Sequence, residues 1–310
     1  IWQQTLKTLF RMIRYRKLMN AKKILYFPRI LTGKEKAIFT ALFVIALASG
    51  VLFFGKLYFR FTTPVPAIGG NYAEGILGEP RIINPVFASR DSERDISRLI
   101  YSSLLIYNGE GNIVGDLAEN YVISDDGKTY TLALRKNILW HDNTPLTADD
   151  VAFTIHTIQN TQYKSPLRPN WQGVNVEVLD PHTIQFTLRS PYVPFIENLT
   201  VGIIPKHIWE KITPEQSLLH ERSLQPIGSG PYRFSQIKQE KDGTILSYEL
   251  KRNANYYREG PYIKEITFIF FRNEDDMIAA VRTGKLDGYG PISEKFISHI
   301  NKNTITAHTL

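Results

Sequence analysis

The chain has no cysteine among its 310 residues. This absence excludes disulfide frameworks, zinc sites with cysteine ligands and thiol nucleophiles, and it leaves no cysteine that could carry a lipid anchor. The rest of the composition, with 43% hydrophobic and 22% charged residues, is that of an ordinary globular protein. A chain of this length is typical of two compact domains. Because the sequence opens with Ile1 rather than Met, we expect its N-terminus to be incomplete.

Acidic residues are nearly absent from the first 70 residues, which contain twelve Lys/Arg and only Glu35 as an acid. The other 240 residues carry a net charge of −4, although the whole chain has a formal charge of +7. The basic character is therefore confined to the N-terminal segment. Since the larger part of the chain has no basic bias, we expect no nucleic-acid partner.

Charged residues are absent altogether from Ala37 to Gly55. A helix of this length would span about 28 Å, close to the ~30 Å hydrocarbon core of a bilayer. Ten Lys/Arg precede the run, so the positive-inside rule predicts that residues 1–36 form a basic cytoplasmic tail. We interpret residues 37–55 as a transmembrane helix. Residues 56–71 contain two prolines and two glycines and are interpreted as a linker.

Two other interpretations of the uncharged run stay open. Ala46-Leu47-Ala48 is similar to a signal-peptidase site, which would make the run part of a cleaved signal peptide. Against this, the apolar run continues through Phe54, and the basic region before it is long for a signal peptide. A buried core helix is the other alternative, although an uncharged run between Lys36 and Lys56 fits it poorly.

Beyond residue 71 the pattern changes to short strands and helices. Alternating apolar residues and turn residues predict two β-hairpins, at 121–135 with a turn at 125–128 and at 174–188 with a turn at 180–182. Apolar spacing and capping residues predict helices at 94–107, after a capping box at 147–150, and at 275–282. Two further strands are predicted at 244–250 and 263–271. Hairpins between helices indicate a mixed sheet.

Seven short sequence motifs, here called phrases, occur within residues 72–310. They are PRIINP at 80–85, GDLAE at 115–119, SDDGKTYTLALR at 124–135, LWHDNTPLTADDV at 139–151, IPKH at 204–207, GSGPY at 228–232 and KRN at 251–253. In this order they resemble the family 5 extracellular solute-binding proteins, whose members bind peptides, nickel complexes and other solutes. One departure is Asn143, which stands where the family usually has glycine. Asparagine also tolerates left-handed turn conformations, so the turn should be kept.

The resemblance implies a mixed α/β fold, the periplasmic-binding-protein type II class. It implies that residues 72–108 and 226–310 form lobe I and that residues 109–225 form a subdomain inserted into it. Family members are usually longer, so the second lobe is expected to be missing from this chain. Because closure of two lobes around a ligand supplies most of the contacts, we expect the chain alone to bind ligand weakly or not at all.

The resemblance also implies which residues face the ligand cleft. These candidate ligand-binding residues are Ala88, Ser89, Arg90, Asp91, Leu167, Gly288, Tyr289 and Gly290. Structural alternatives remain: Asp91 or Ser92 would cap the following helix, and Tyr289 would pack in the interior. In peptide-binding relatives the carboxylate that pairs with the α-amino group lies in the second lobe, so the ligand class stays open.

Motifs that suggest catalysis or metal binding have structural interpretations. The His141-Asp142 pair lacks the further His and Asp partners of a metal-dependent phosphohydrolase. The glycines at 228 and 230 precede Pro231, whereas a phosphate loop needs Gly-Lys-Ser/Thr at the start of a helix. The seven histidines show no metal-ligand spacing. We therefore expect a binding protein that is not an enzyme and that has no cofactor and no resident metal.

Together, the anchor and the resemblance imply a membrane-anchored binding component of an ABC importer. It would lie outside the cytoplasm, capture oligopeptides or another small solute, and pass them to the permease subunits. A binder of nickel or another metal complex within the same family remains an alternative, which the second lobe would decide. A membrane-tethered ligand sensor is a second alternative, and the sequence upstream of Ile1 would distinguish it from a binding component.

If residues 37–55 form a retained anchor, the protein should sediment with membranes and resist a salt wash, because burial of the apolar run holds it there independently of charge. Cell fractionation followed by immunoblotting measures this. Recovery of the protein in the soluble extracytoplasmic fraction would refute the anchor.

Overall fold

The computed structural model describes residues 32–63 and 65–290 of the chain. The basic tail predicted at 1–36 therefore lies almost entirely outside the described residues, as does the part of the predicted lobe I beyond residue 290. The chain divides into two units, Ile1–Pro66 and Ala67–Leu310, which are described separately below.

The first unit contains one long helix, α1, at Gly33–Phe61. The backbone N–H of Thr32 donates to the Glu35 carboxylate over 2.9 Å and so caps its first turn. The helix is longer than the predicted 37–55 and takes in the first six residues of the predicted linker, because no glycine or proline interrupts Lys56 to Phe61. By length and composition α1 could cross a membrane, although a signal sequence near the N-terminus would satisfy the same criteria.

The second unit is built on a five-stranded sheet in the order β11-β1-β10-β9-β8. Strand β1 pairs in parallel with β10 and β11, whereas β8, β9 and β10 pair antiparallel. The sheet is therefore mixed, as predicted, and both strands predicted in this region are confirmed. The bounds are Gly69–Leu77 (β1), Tyr232–Gln239 (β8), Ile245–Arg252 (β9), Ile263–Phe271 (β10) and Gly288–Tyr289 (β11).

Helix α2, at Asp91–Ile100, corrects the predicted helix at 94–107. It starts three residues earlier and stops seven residues earlier, since Tyr101 is extended. The carbonyl of Ile100 accepts the backbone N–H of Gly230 over 2.8 Å instead of continuing the helix. Leu104 is buried, as its apolar character indicated, but it precedes the short strand β2 at Leu105–Tyr107 rather than lying in the helix.

A second, antiparallel sheet has the order β4-β5-β7-β6. It contains both predicted hairpins. In the turn of the first hairpin, the Asp126 carboxylate accepts the backbone N–H of Lys128, and Gly127 has a φ of +67°. The strands are Ala118–Ile123 (β4), Thr129–Leu134 (β5), Asn175–Asp180 (β6) and Thr183–Thr187 (β7), and a short strand β3 at Ile113–Gly115 pairs with β2.

Helix α3, at Ala148–Gln159, lies where the capping residues predicted a helix. The Asp150 carboxylate accepts the backbone N–H of Thr147 over 2.9 Å and also that of Lys206 over 2.9 Å, so one side chain caps the helix and ties down a distant segment. The remaining helices are Arg168–Trp171 (α4), Phe195–Asn198 (α5), Lys206–Trp209 (α6), Pro214–Ser217 (α7) and Glu274–Arg282 (α8). Helix α8 ends at Arg282, as predicted, and Gly284 just after it has a φ of +69°.

Aromatic side chains fill the core behind the second sheet. The rings of Trp171 and Phe195 meet edge to face with their centroids 5.4 Å apart, and Tyr130 meets Phe195 at 5.0 Å. Phe186 of β7 completes this group at 6.1 Å from Phe195. Such contacts add about 0.5–1.5 kcal/mol per pair beyond burial of area. They fix α4 and α5 against the sheet, which matters because both helices border the cavity described below.

Residues 228–230 form a return loop, through which the chain passes back to the main sheet. The Nε2 atom of His141 lies 3.1 Å from the carbonyl oxygen of Gly230, and the N–H of Gly228 donates to its Nδ1 over 3.2 Å. The side-chain amide of Asn253 donates to the same carbonyl over 3.0 Å. A Cβ on Gly228 would lie 1.9 Å from the carbonyl oxygen of Ile100, so only glycine fits.

Replacement of Gly228 by alanine should therefore lower the free energy of unfolding by about 3 kcal/mol, since the added methyl meets rigid backbone. Urea unfolding followed by tryptophan fluorescence measures the effect. Gly109→Ala is the matched control: its Cβ would have open space around it, and we expect a change within about 0.5 kcal/mol. Equal effects of the two substitutions would contradict the packing argument.

Candidate ligand-binding cavity

The predicted loop at residues 88–91 is organised by a carboxylate that sequence reasoning missed. Glu93, in the first turn of α2, is buried, and its two oxygens accept the backbone N–H groups of Arg81, Ser89 and Arg90 over 3.0–3.2 Å. The N-cap position is Arg90, so neither Asp91 nor Ser92 caps this helix. A glutamate three residues into a helix was the available sequence signal.

A cavity of about 520 Å³ lies beside this loop. Two of the predicted residues, Ala88 and Leu167, line it. Ser89, Arg90 and Asp91 do not: the Arg90 side chain donates to the carbonyl of Glu79 over 3.0 Å, and Asp91 pairs with Arg94. The volume lies within the range typical of small-molecule sites, about 300–1,000 Å³.

One wall of the cavity is formed by α2 and the segment that follows it. Arg94, Ser97 and Arg98 line it from the helix, and residues 101–103 continue the wall. The Ser103–Gly202 bridge joins this segment to the opposite wall. Tyr107, at the end of β2, adds an aromatic ring that is 48% exposed.

The other wall comes from the segments around α4 and α5. Leu167 and Trp171 lie at either end of α4, and Val201 and Gly202 follow α5. Because the aromatic core behind the sheet holds both short helices, this wall is rigid. It also carries Glu197, whose carboxylate adds a negative charge that sequence reasoning did not anticipate.

Asp116 closes the inner part of the cavity. Its carboxylate is 2% exposed and accepts the Tyr257 hydroxyl over 2.7 Å, Nη1 of Arg258 over 3.1 Å and the backbone N–H of Ser103 over 3.2 Å. Burial acts to lower the pKa of Arg258, but the hydrogen bond and charge of Asp116 outweigh it and raise that pKa above its ordinary value. These contacts tie the end of α2 to the loop after β9.

The other predicted residues, Gly288, Tyr289 and Gly290, lie on or beside β11. Strand β11 pairs with β1, and the N–H of Gly290 donates to the carbonyl of Gly75 over 2.8 Å. These residues lie at the edge of the five-stranded sheet and are not among those that line the cavity. Tyr289 packs against the small cluster formed by Met277, Ala280 and Leu286.

The His141-Asp142 pair has the structural role assigned to it from the sequence. Both ring nitrogens of His141 contact the return loop, and Nε2 of His207 lies 2.8 Å from the Asp142 carboxylate. Burial lowers the pKa of His141 to about 4, which keeps the ring neutral at pH 7 so that Nδ1 can accept a hydrogen bond. Asn143 has a φ of +69°, as expected where relatives carry glycine.

Comparison with known proteins decides the family. Residues 112–308 match the profile of the bacterial extracellular solute-binding proteins, family 5. The chain belongs to this family. Family 5 proteins are extracytoplasmic binding proteins of ABC transporters and are not enzymes. The predicted family and fold class are therefore confirmed.

Relatives of this family 5 protein differ in what their names say they bind. The oligopeptide-binding protein AppA of Bacillus subtilis is 28% identical over 226 residues, which are 72% of this chain and 41% of AppA. The nickel-binding periplasmic protein of Escherichia coli is 31% identical over 193 residues, 61% of this chain and 35% of that protein. The chain thus spans less than half the length of these curated relatives.

The fold agrees with the solved structure of AppA in complex with a nonapeptide. The TM-score is 0.70 at 26% identity, and the match covers 76% of this family 5 chain and 46% of AppA. The fold is therefore that of a type II periplasmic binding protein, of which the described residues form a part.

Replacement of Asp116 by alanine should lower the free energy of unfolding of this family 5 protein by about 3 kcal/mol, because it leaves a half-buried guanidinium and a buried hydroxyl without their acceptor. Chemical denaturation measures the loss. Glu221→Ala provides the comparison: its ion pair with Arg222 is 3.7 Å long and exposed, and we expect a change of less than about 0.5 kcal/mol. A loss no larger than that of the comparison would show that the Asp116 contacts do not hold the wall.

Proposed function

We propose that the chain forms one wall of a cleft that captures oligopeptides outside the cytoplasm for an ABC importer. The observation that carries this is the cavity of about 520 Å³, which is lined by Ala88 and Leu167, two positions that the family resemblance implies face the ligand. Its mixed character also supports the proposal. Apolar surface from Leu167 and Val201 lies beside polar and charged groups, a combination typical of ligand pockets.

In the proposed mechanism, a peptide settles on this wall while the two lobes are open, and the lobes then close over it. Closure removes water from the cavity and strengthens each polar contact made there. The liganded protein would then dock on the permease subunits. The edge of β1 and β11, with Gly288, Tyr289 and Gly290, would face the second lobe.

Helix α1 supplies the attachment in this proposal. Its apolar run, 37–55, would span the membrane with residues 1–36 in the cytoplasm. A tethered binding protein stays near its importer, so a high effective concentration replaces free diffusion.

The test is native mass spectrometry of the longest gene product that contains this chain, incubated with a mixed pool of short peptides. Retained masses that match peptides are expected. Leu167→Trp should weaken their binding at least tenfold, because the larger ring fills part of the cavity. Leu246→Trp, at a 43% exposed position on β9 outside the cavity, should leave binding unchanged.

A folded protein that retains no peptide would refute the oligopeptide proposal. Retention of a nickel–histidine complex from a parallel incubation would instead favour the metal-complex alternative. The relative named for nickel binding supports that alternative, whereas the described residues contain no group of three His, Cys, Asp or Glu side chains able to hold a metal ion directly.

A further inference from the structure

Four charged side chains line the cavity, and three of them already have a partner of opposite charge. They are Arg94, Arg98, Asp116 and Glu197. Asp116 is held by Tyr257 and Arg258, as described above. The Arg94 guanidinium pairs with Asp91 and donates to the carbonyl of Ser89 over 2.9 Å. Neither group is free to bind a ligand without the loss of a contact that supports the wall.

Glu197 differs from these groups. Among the residues that the structure describes, its carboxylate has no hydrogen-bond or ion-pair partner. Its backbone, by contrast, is fixed: the N–H of Glu197 donates to the carbonyl of Pro194 over 3.0 Å, and its carbonyl accepts the Thr200 hydroxyl over 2.7 Å. Phe195, buried in the aromatic core, anchors the same turn. The backbone of this turn is therefore fixed, and the exposed Glu197 side chain extends from it at the cavity wall.

The surroundings of Glu197 suggest what this charge is for. Leu167 and Val201 on the same wall are partly exposed and offer apolar surface. Arg98, which lines the cavity from α2, has its Nη1 atom 3.6 Å from the carboxylate of Asp95. A carboxylate beside apolar surface favours a ligand that combines an apolar body with a positive charge, since the two meet in a charge-assisted hydrogen bond.

We propose that Glu197 is a specificity-determining residue that binds an ammonium or guanidinium group of the ligand. This rests on the proposed function, because it assumes that the cavity receives the ligand. The cationic group could be the amino terminus of a peptide or a basic side chain. Both offer the same chemistry, and closure of the cleft would strengthen the contact by excluding water.

The experiment compares affinities of four peptides for the longest gene product that contains this chain, by isothermal titration calorimetry. The parent is Ala-Ala-Lys-Ala-Ala. The others carry norleucine for lysine, an acetylated amino terminus, or both changes. Glu197→Gln, which keeps the shape and removes the charge, should weaken binding of the parent about tenfold and leave the doubly neutral peptide unchanged.

The two single changes identify the source of the cation. If the peptide with norleucine loses its sensitivity to Glu197→Gln, the side chain is the partner; if the acetylated peptide loses it, the amino terminus is. Glu210→Gln, an exposed change outside the cavity, should alter none of the affinities. Circular dichroism melting of each variant checks that the fold is retained.

Two results would overturn the inference, and they are distinguishable. If Glu197→Gln weakens binding of all four peptides equally, or of none, peptide capture stands but Glu197 does not select a cation. If none of the four peptides binds the unaltered protein, and calorimetry with the mixed peptide pool also shows no binding, the proposed function fails and the inference fails with it.

Discussion

The structure depends on the contact between the return loop and the end of α2. The carbonyl of Ile100 approaches Gly228 and Gly230 so closely that no side chain fits at either glycine. His141 and Asn253 bind the same loop, so three distant parts of the sequence converge on these three residues. Because the N–H of Gly228 and both backbone groups of Gly230 are paired, the end of α2 and the segments around His141 and Asn253 share one joint.

The cavity is a consequence of that joint. Since α2 stops at Ile100, residues 101–103 turn away as extended chain and become a wall. Asp116 then fixes this wall to the loop that follows β9, and the aromatic core fixes the opposite wall. The Asp116 carboxylate is paired with Tyr257 and Arg258, whereas the Glu197 carboxylate on the opposite wall has no partner among the described residues.

Local signals predicted the elements that are determined locally. The turn at Asp126 and Gly127 and the cap at Thr147 and Asp150 depend on neighbours within four residues, and the structure has both. The end of α2 could not be predicted in this way, because it is set by Gly230, far along the chain. The position of Glu197 in the cavity lining could not be predicted from the sequence either, because the residues around it show the pattern of an ordinary exposed helical turn. The order of the phrases, not any one of them, indicated the family and so placed Ala88 and Leu167.

The parallel pairing of β1 with β10 constrains the order in which the protein can fold. Gly69 pairs with Ile263, so β1 has no partner until roughly 190 further residues have been made. The sheet of β4 to β7 pairs only with itself, between Ala118 and Thr187, and can assemble much earlier. The second sheet is thus suited to act as a folding nucleus on which the five-stranded sheet closes last. Until β10 has been synthesised, the apolar face of β1 stays exposed on the growing chain.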